Sequence, residues 1–214
     1  MRPTDTASTT RPASSFRNRG EMRDESRKAI EKALEPERFF YEQVVDDDLK
    51  WQGNIFSSHV LEVEIGDGSR GRREIVRHCG GAGVVAVDDA RRVCLVRQYR
   101  VAVGRMTLEI PAGKLDADEG ADACAARELA EETGIRARRL EHLVSDYGSI
   151  GFTDEHTEVF LATDLQDGEA RPDDGELISA LWLPMDDVVE AILEGLIKDG
   201  KTVAGILAAK AKLG

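Results

Sequence analysis

The residues best suited to chemistry in this chain of 214 residues form the segment Arg-Glu-Leu-Ala-Glu-Glu, which contains Glu128, Glu131 and Glu132. A helix turns through about 100° per residue, so these three glutamates fall within about one third of its circumference. Like charges four residues apart destabilise a helix unless something compensates them, and carboxylate oxygens bind Mg²⁺ or Mn²⁺. The spacing therefore predicts a helix whose acidic face binds a divalent cation.

The alternative is that this segment is only the solvated face of an acidic helix, which is the usual fate of such charge runs. Three flanking features favour the chemical interpretation: a Gly-containing loop ahead of the helix at Gly113, Glu119 at a fixed offset, and Gly134 as a stop. Glu119 alone would also fit a first-turn carboxylate that complements the helix dipole. The predicted helix runs from about Glu119 to Thr133. Its small residues are expected to pack on a sheet: Ala123, Ala126, Leu129, Ala130 and Thr133.

Strands and helices on both sides of this segment must position it. Apolar runs at Gly83–Val87 and Val93–Val96 flank the turn Asp88-Asp89 and predict a buried hairpin. Further strands are predicted at Thr107–Ile110, Glu158–Ala162 and Ile178–Leu183. Two helices close the chain, one at Val188–Ile197 capped by Asp186 or Asp187, and one at Val203–Lys212 capped by Thr202.

The first part of the chain predicts an accessory unit. Residues 1–20 are rich in Thr, Ser, Arg and Pro and predict a disordered tail, followed by a short helix at Glu21–Leu34. Alternating apolar residues from Phe39 to Arg77, around the turn Gly66-Asp67-Gly68, predict a small antiparallel sheet. We therefore divide the chain into a tail and short helix at 1–37, an N-terminal sheet domain at 38–78 and a main domain at 79–214.

Composition limits the classes of partner. The formal net charge of -12 disfavours nucleic acid and anionic membranes, because their phosphates would be repelled. A small anionic substrate is still compatible, since arginines or bound cations reverse the potential inside one cleft. The three cysteines lack a CxxC pair, and the sequence has neither a signal-like apolar region nor a membrane-length apolar run. These features predict a protein of the reducing cytoplasm with no membrane partner.

The order of fixed residues resembles a known motif. Gly113, five residues, Glu119, seven residues, Arg127-Glu128-Leu129, one residue, Glu131-Glu132, one residue and Gly134-Ile135 together resemble the Nudix box. The resemblance implies an α/β fold, a Nudix α/β/α sandwich with a mixed sheet beside the small N-terminal sheet, and a Mg²⁺-dependent pyrophosphohydrolase. It implies that Glu128 and Glu132 are the principal metal ligands. It gives further roles to Glu131 as ligand or base, to the Ala112 carbonyl as ligand, to Glu119 as support and to Arg127 as the residue that orients a glutamate.

Segments outside the box resemble the ADP-ribose pyrophosphatase branch of that family. They are Arg73-Glu74-Ile75-Val76, Gln98-Tyr99-Arg100, Leu108–Gly113, Gly151–Glu155 and Asp199-Gly200-Lys201-Thr202. The resemblance implies hydrolysis of ADP-ribose to AMP and ribose 5-phosphate, with Arg100 on a substrate phosphate and Glu176 as a general base from the loop 171–176. Arg73 is a further candidate for the nucleotide. Alternatives are a surface arginine at the end of a strand for Arg100, a polar strand edge for Arg73 and an exposed acidic turn for Glu176.

One departure bears on the substrate. Relatives commonly have proline where this chain has Ile150, and that proline would shape a loop rather than react. Phe40 and Trp51 are candidates for stacking on an adenine, or they belong to the core of the small sheet. The branch also implies a homodimer that exchanges its N-terminal sheets. The rival functions are hydrolysis of another nucleoside diphosphate sugar or dinucleotide, and a non-catalytic nucleotide-binding regulator, against which the complete set of glutamates argues.

Overall fold

The computed structural model describes residues 22–173 and 175–214. The predicted disordered tail lies outside the described residues. Within them the helices are α1 (Asp24–Leu34), α2 (Ala121–Thr133), α3 (Met185–Leu193) and α4 (Gly200–Leu213). The strands are β1 (Glu42–Gln52), β2 (Phe56–Ile65), β3 (Arg70–His78), β4 (Gly81–Ala86), β5 (Arg92–Arg100), β6 (Arg105–Glu109), β7 (Ala112–Lys114), β8 (Arg136–Tyr147), β9 (His156–Gln166) and β10 (Ser179–Pro184).

The N-terminal strands form the predicted small antiparallel sheet, in the order β1-β2-β3. The turn that joins β2 to β3 is held by Asp67, whose carboxylate accepts a hydrogen bond from the Ser69 backbone N–H at 2.9 Å. On β2 the alternate residues Leu61 and Val63 are buried, whereas every residue of β1 is exposed. The sheet therefore leaves one long, partly apolar strand uncovered.

The core has a mixed sheet with helices on both faces. The sheet order is β7-β4-β9-β8, in which β4 and β9 are parallel and the outer pairs are antiparallel. Because side chains alternate along a strand, Ala82 and Val84 of β4 pack in one apolar cluster with Leu129 of α2, while Val85 packs in a second cluster with Ile206 of α4. The predicted α/β/α sandwich with a mixed sheet is confirmed.

The hairpin predicted around Asp88-Asp89 is wrong beyond its first pair. A single bridge joins Val87 to Val93, after which β4 continues in the mixed sheet and β5 in a second sheet of order β10-β5-β6. Each strand already has a hydrogen-bonded neighbour on both edges, so the two cannot continue to pair. Their apolar runs are those of central strands rather than of one hairpin.

The helix boundaries also differ from the prediction. Helix α3 begins at Met185, so Asp186 and Asp187 lie in its first turn and do not cap it. Helix α4 begins at Gly200 and is capped by Asp199, whose carboxylate accepts a hydrogen bond from the Thr202 N–H at 3.1 Å. Thr202 is therefore inside the helix and does not cap it.

The packing face predicted for helix α2 is right at Leu129 and wrong at Ala123 and Ala126. Cys124, Ala125 and Leu129 are buried, whereas Ala123 and Ala126 are exposed. The strands β7 and β8 were not predicted, since charged residues interrupt the apolar pattern of β8 and β7 is short. None of the helices in the described ranges is long and apolar enough to cross a membrane.

Candidate active site

Helix α2 carries the three glutamates and is fixed at its C-terminal end by glycine. Gly134 follows the last helical residue with φ of 75° and donates its N–H to the Ala130 carbonyl at 2.9 Å. A left-handed residue of this kind satisfies the last carbonyls of a helix, and glycine adopts it without strain. The helix therefore ends at Gly134, directly after the acidic face, as the sequence predicted.

Arg127 is the centre of the charge network on this helix. Its guanidinium contacts Glu119 at 2.9 Å, Glu128 at 2.7 Å and Glu131 at 3.0 Å. These bonds, with the one to Glu119 as the largest contribution, raise the pKa of Arg127 above its usual value. The hydrogen bonds from Arg127 also hold the pKa of Glu119 at about 2. One arginine thus holds three carboxylates together before a ligand binds.

Glu132 is the least accessible glutamate of the helix. It is 6% exposed, and its carboxylate accepts a hydrogen bond from the Ala112 N–H at 3.1 Å. Burial raises the pKa of Glu132 to about 8, and the nearby charges of Glu128 and Glu176 act in the same direction. Burial likewise raises the pKa of Glu128. Burial therefore disfavours the charged form of both carboxylates.

Gly113 lets the loop after β6 approach the helix. A Cβ atom placed on Gly113 would lie 1.8 Å from Oε1 of Glu128, which no real contact permits. The same loop presents the Ala112 backbone to Glu132. The loop backbone at residues 112 and 113 therefore lies against the carboxylates of Glu128 and Glu132, and the absence of a side chain at residue 113 allows this approach.

The donor set fits a divalent cation such as Mg²⁺ or Mn²⁺. Carboxylate and carbonyl oxygens are the ligands that these ions take, and a bound cation would favour the charged forms of Glu128 and Glu132, whose pKa values burial raises. In the ranges 22–173 and 175–214 no three acidic, His or Cys side chains converge into a ready metal cluster. Arg127 engages one carboxylate oxygen of Glu128 and one of Glu131, so the second oxygen of each is left for a cation while the ion pairs hold the side chains.

A cleft of about 1080 Å³ opens beside this helix and brings several predicted residues together. Arg100, Ala112, Arg127, Glu128 and Glu176 all line it. Glu132 lies behind Ala112, and Glu131 faces a separate depression behind the helix that also contains Arg136 and Arg171. The cleft therefore joins the acidic helix to an arginine from another sheet.

Arg100, at the end of β5, is held by a buried carboxylate. Its Nε and Nη2 atoms donate to the two oxygens of Glu109, each at 2.8 Å, and this pairing raises the pKa of Arg100. A bidentate fork of this kind fixes the plane of a guanidinium. Arg100 is thus an oriented cation in the cleft wall rather than a loose surface arginine.

Glu176 belongs to the segment between β9 and β10. The segment contacts α2 through the Arg171 N–H, which donates to the Glu131 carbonyl at 2.8 Å. The side of the cleft that this segment forms includes Asp173 and Glu176, and Glu176 is close enough to raise the pKa of both Glu128 and Glu132. The structure therefore brings Glu176 to the acidic helix.

Three predicted substrate residues lie away from the cleft of their own chain. Arg73 is on β3, where it pairs with Glu42 of the small sheet. Phe40 is exposed and packs edge-to-face on Phe39, with ring centroids 5.4 Å apart. Trp51 on β1 packs against Phe56 at 5.0 Å. Their described contacts are within the N-terminal sheet and the segment that leads into β1.

The loop that carries Ile150 connects the small sheet to the core. The Val76 N–H donates to the Phe152 carbonyl at 2.7 Å, and the carboxylate of Asp154 accepts from the His78 N–H at 2.9 Å. Ile150 itself is 82% exposed and lies outside the cleft. Loop residues closer to β9 do line the cleft, notably Glu155. The departure at Ile150 therefore concerns the loop, not the acidic helix.

Sequence reasoning missed several cleft residues, chiefly His78, Glu109, Lys198 and Lys201. A signal for Glu109 was available: a carboxylate flanked by Leu108 and Ile110 in an apolar strand is costly to bury unless it is paired. Lys201 and His78 had no comparable signal, because a lysine after a turn and a histidine at a strand end are ordinary at the surface.

The fold and the acidic helix together define a class of protein. The sequence profile described as "NUDIX domain" matches residues 77–204, which include every glutamate of α2 and all of the cleft's lining residues except Ile55. The chain belongs to the NUDIX family. Its residues Gly113 to Ile135 are the box from which the family was inferred.

Particular relatives narrow the comparison. The chain is 34% identical to the ADP-ribose pyrophosphatase of Bacillus subtilis (strain 168), over 82% of this chain and 92% of that protein. It is also 34% identical to the methanol dehydrogenase activator of Bacillus methanolicus, over 79% and 92% of the two chains. A crystal structure of an ADP compounds hydrolase shares the fold with a TM-score of 0.70 at 21% identity, over 80% of this chain and 94% of that chain.

Proposed function

We propose that this chain hydrolyses the diphosphate bond of ADP-ribose in a Mg²⁺-dependent reaction that yields AMP and ribose 5-phosphate. The observation that carries the proposal is the cleft itself, whose wall brings Glu128 and Ala112 together with the oriented guanidinium of Arg100. Such a cleft suits a substrate with adjacent phosphates, since one end neutralises charge through a cation and the other through arginine. The similarity to an ADP-ribose pyrophosphatase over 92% of its length supports the choice of substrate.

The residues proposed to hold Mg²⁺, or Mn²⁺ in its place, are those around α2 and its preceding loop: Glu128, Glu132, Glu131, the Ala112 carbonyl and, in support, Glu119. When bound, the cation polarises phosphoryl oxygens and lowers the pKa of a coordinated water. Arg127 keeps Glu128 and Glu131 in place through its ion pairs. It is therefore proposed as an orienting residue rather than one that touches substrate.

Hydrolysis requires a proton acceptor. The oxygen of a water molecule forms a bond to one phosphorus, the bond from that phosphorus to the bridging oxygen breaks, and a carboxylate takes the water proton. Glu176 is the proposed base, because it is exposed on the cleft wall and close to Glu128 and Glu132. Glu132 is also proposed to act on the water, as is Glu131 once its side chain turns from the depression behind α2. Arg100 is proposed to hold a phosphate with the N–H groups that Glu109 leaves free.

A homodimer would give the N-terminal sheet its role. We propose that the sheet domain 38–78 joins two copies and carries Arg73, Phe40 and Trp51 toward the partner's cleft, while 79–214 supplies the catalytic domain. The exposed apolar residues of β1 support this assignment, since a dimer would cover them. The described cysteines are unpaired, which suits a reducing cytoplasm as the location.

A second candidate is hydrolysis of another nucleoside diphosphate sugar or a dinucleotide. Ile150 favours it, because the loop 148–155 both departs from the branch pattern and ends at the cleft residue Glu155. The same acidic helix would catalyse either reaction with different pocket walls. A non-catalytic nucleotide sensor is the third candidate, and the full set of glutamates counts against it.

The deciding experiment is a substrate panel with Mg²⁺. ADP-ribose, GDP-mannose, UDP-glucose, NADH and a diadenosine polyphosphate are compared at equal concentration, and nucleoside monophosphate release is measured. Preference for ADP-ribose is expected. Preference for another compound would replace the substrate and keep the chemistry, whereas no turnover of any would leave the sensor as the function.

Two variants test the residue roles. Glu132→Gln and Glu176→Gln are each expected to lower kcat by at least about 10²-fold, the usual contribution of a positioned acid or base. Glu190→Gln, on the exposed side of α3, is the matched control and should keep full activity. If Glu132→Gln hydrolysed substrate as fast as the unaltered protein, the metal assignment would be wrong. Full activity in Glu176→Gln would move the base elsewhere.

A further inference from the structure

Glu109 is a buried carboxylate beneath the cleft with all of its acceptor capacity in use. It is 3% exposed, and it accepts hydrogen bonds from Arg100, from the Thr107 hydroxyl at 2.7 Å and from Lys201 Nζ at 2.5 Å. Since Arg100 contributes two of these bonds, four donors reach two oxygens. A carboxylate held from so many directions has little freedom to turn.

The position of Glu109 decides the position of Arg100. A guanidinium has five N–H groups, and the fork with Glu109 uses two of them. The other three are available to a phosphate only in the plane that the fork defines. If Glu109 were to rotate, the arginine would swing with it, because both bonds of the fork end on that one carboxylate.

Lys201 is the second charge on Glu109 and comes from a different part of the fold. It stands in the first turn of α4, 18% exposed, and its ammonium also contacts Asp199 at 2.9 Å. Asp199 caps α4 through the N–H and hydroxyl of Thr202. The lysine therefore joins the strand pair that carries Arg100 to a fixed helix N-terminus.

Four charges alternate along this chain of contacts: Arg100, Glu109, Lys201 and Asp199. Two are positive and two are negative, so the group is neutral as a whole. Loss of the lysine would leave two carboxylates and one guanidinium, so Arg100 alone would compensate the repulsion between Asp199 and Glu109. The geometry of the fork thus depends on a residue that has no bond to Arg100.

We propose that Lys201 is a positioning residue for the substrate diphosphate, acting through Glu109 to hold the guanidinium of Arg100 in the plane that receives a phosphate. The proposal rests on the proposed function in one respect, namely that Arg100 binds the substrate. It adds that Lys201 on α4, about a hundred residues later in the sequence than Arg100, affects how strongly Arg100 binds the substrate.

A double-mutant cycle separates this role from a purely structural one. Arg100→Met, Lys201→Met and the double variant are compared with the unaltered protein for KM and kcat on the best substrate of the panel. Lys201→Met is expected to raise KM by about tenfold and to change kcat less, which corresponds to loss of one oriented charge-assisted hydrogen bond. In the Arg100→Met background the second change should have no further effect on KM. Additive increases in KM would overturn the proposal.

Lys212→Met is the matched control. Lys212 is on the same helix and makes a comparable ion pair, with Glu141 at 2.5 Å, but this pair is on the surface away from the cleft. The control should leave KM within about twofold, since surface ion pairs contribute little. An equal rise in KM in this control would mean that α4 acts through general stability, and the positioning role would be refuted.

A readout without turnover keeps the inference testable if the proposed function fails. The Nε–H of Arg100 is hydrogen-bonded to Glu109, so its NMR signal should exchange slowly with water; the signal is identified by its absence in Arg100→Met. Lys201→Met is expected to accelerate that exchange by at least about tenfold. Unchanged exchange would reject the positioning role whatever the enzyme acts on, while no turnover of the panel together with accelerated exchange would reject only the proposed function.

Discussion

The buried hydroxyl of Thr202 offers a sharp test of how the cleft is held. It accepts the Ile110 N–H at 2.9 Å and donates to the Asp199 carboxylate at 2.6 Å, and Thr202 is fully buried. Thr202→Val keeps the shape and removes both bonds. Leaving the Ile110 N–H unsatisfied costs roughly 1–3 kcal/mol, and a hydrogen bond to a charged group adds roughly 1.5–3 kcal/mol. We expect the free energy of unfolding to fall by about 3 kcal/mol.

Urea unfolding measures this loss directly, and thermal unfolding should show a fall in Tm of roughly 6–12 °C for a chain of this size. Thr202→Ser is the control, because it keeps the hydroxyl and loses one methyl group. The serine variant should lose only about 1 kcal/mol. A valine variant that is destabilised no more than the serine variant would refute the assignment of the hydroxyl as a structural hydrogen-bonding partner.

Three other predictions follow from the site. Gly113→Ala should lower kcat about 10²-fold, because the new methyl group would displace the Glu128 carboxylate that now lies 1.8 Å from its position. Steady-state kinetics measures this, and an unchanged kcat would contradict the displacement of Glu128. Gly134→Ala should cost roughly 2 kcal/mol in urea unfolding, since residue 134 has φ of 75° and faces the Gly168 carbonyl; an unchanged midpoint would contradict this strain. Although burial opposes it, the bonds from Arg100 and Lys201 lower the pKa of Glu109 to about 2. Glu109 therefore stabilises the fold by about 3 kcal/mol at neutral pH, and this contribution should disappear as the pH falls from about 4.5 to about 2. The stability difference between the unaltered protein and Glu109→Gln, measured in urea at several pH values, should shrink in that window, and a constant difference would contradict the pairing.

The acidic helix could be predicted from the sequence because the residues that determine it are close together in the chain. The spacing of Glu128, Glu131 and Glu132 fixes one face of a helix, and a glycine with positive φ ends it at Gly134. The N-terminal sheet could be predicted for the same reason, since its strands are joined by short turns. Both the element and its chemistry could be inferred from fewer than thirty consecutive residues.

The sheet partners could not be inferred in this way. The apolar runs on either side of Asp88-Asp89 are compatible with a hairpin and with two central strands, and the choice depends on β9 and β10, far along the chain. The α2 packing face was wrong in part for a related reason: which side of the helix meets the sheet depends on distant strands, and Cys124 and Ala125 pack there beside Leu129. Similarly, the partnership of Glu109 with Lys201 joins residues 92 positions apart, and nothing local specifies it.

The parallel pairing of β4 with β9 has a consequence for biosynthesis. Gly81 lies beside Thr157, so the central strand of the core lacks its neighbour until more than seventy further residues have left the ribosome. The N-terminal sheet, built from hairpins, is complete by residue 78 and can fold first. Between these two stages β4 has an unpaired edge of valines, which is a template for aggregation. The nascent chain is consequently most vulnerable while α2, with its charged face, is being synthesised, and truncations that end before Thr157 should be recovered in inclusion bodies rather than in the soluble fraction.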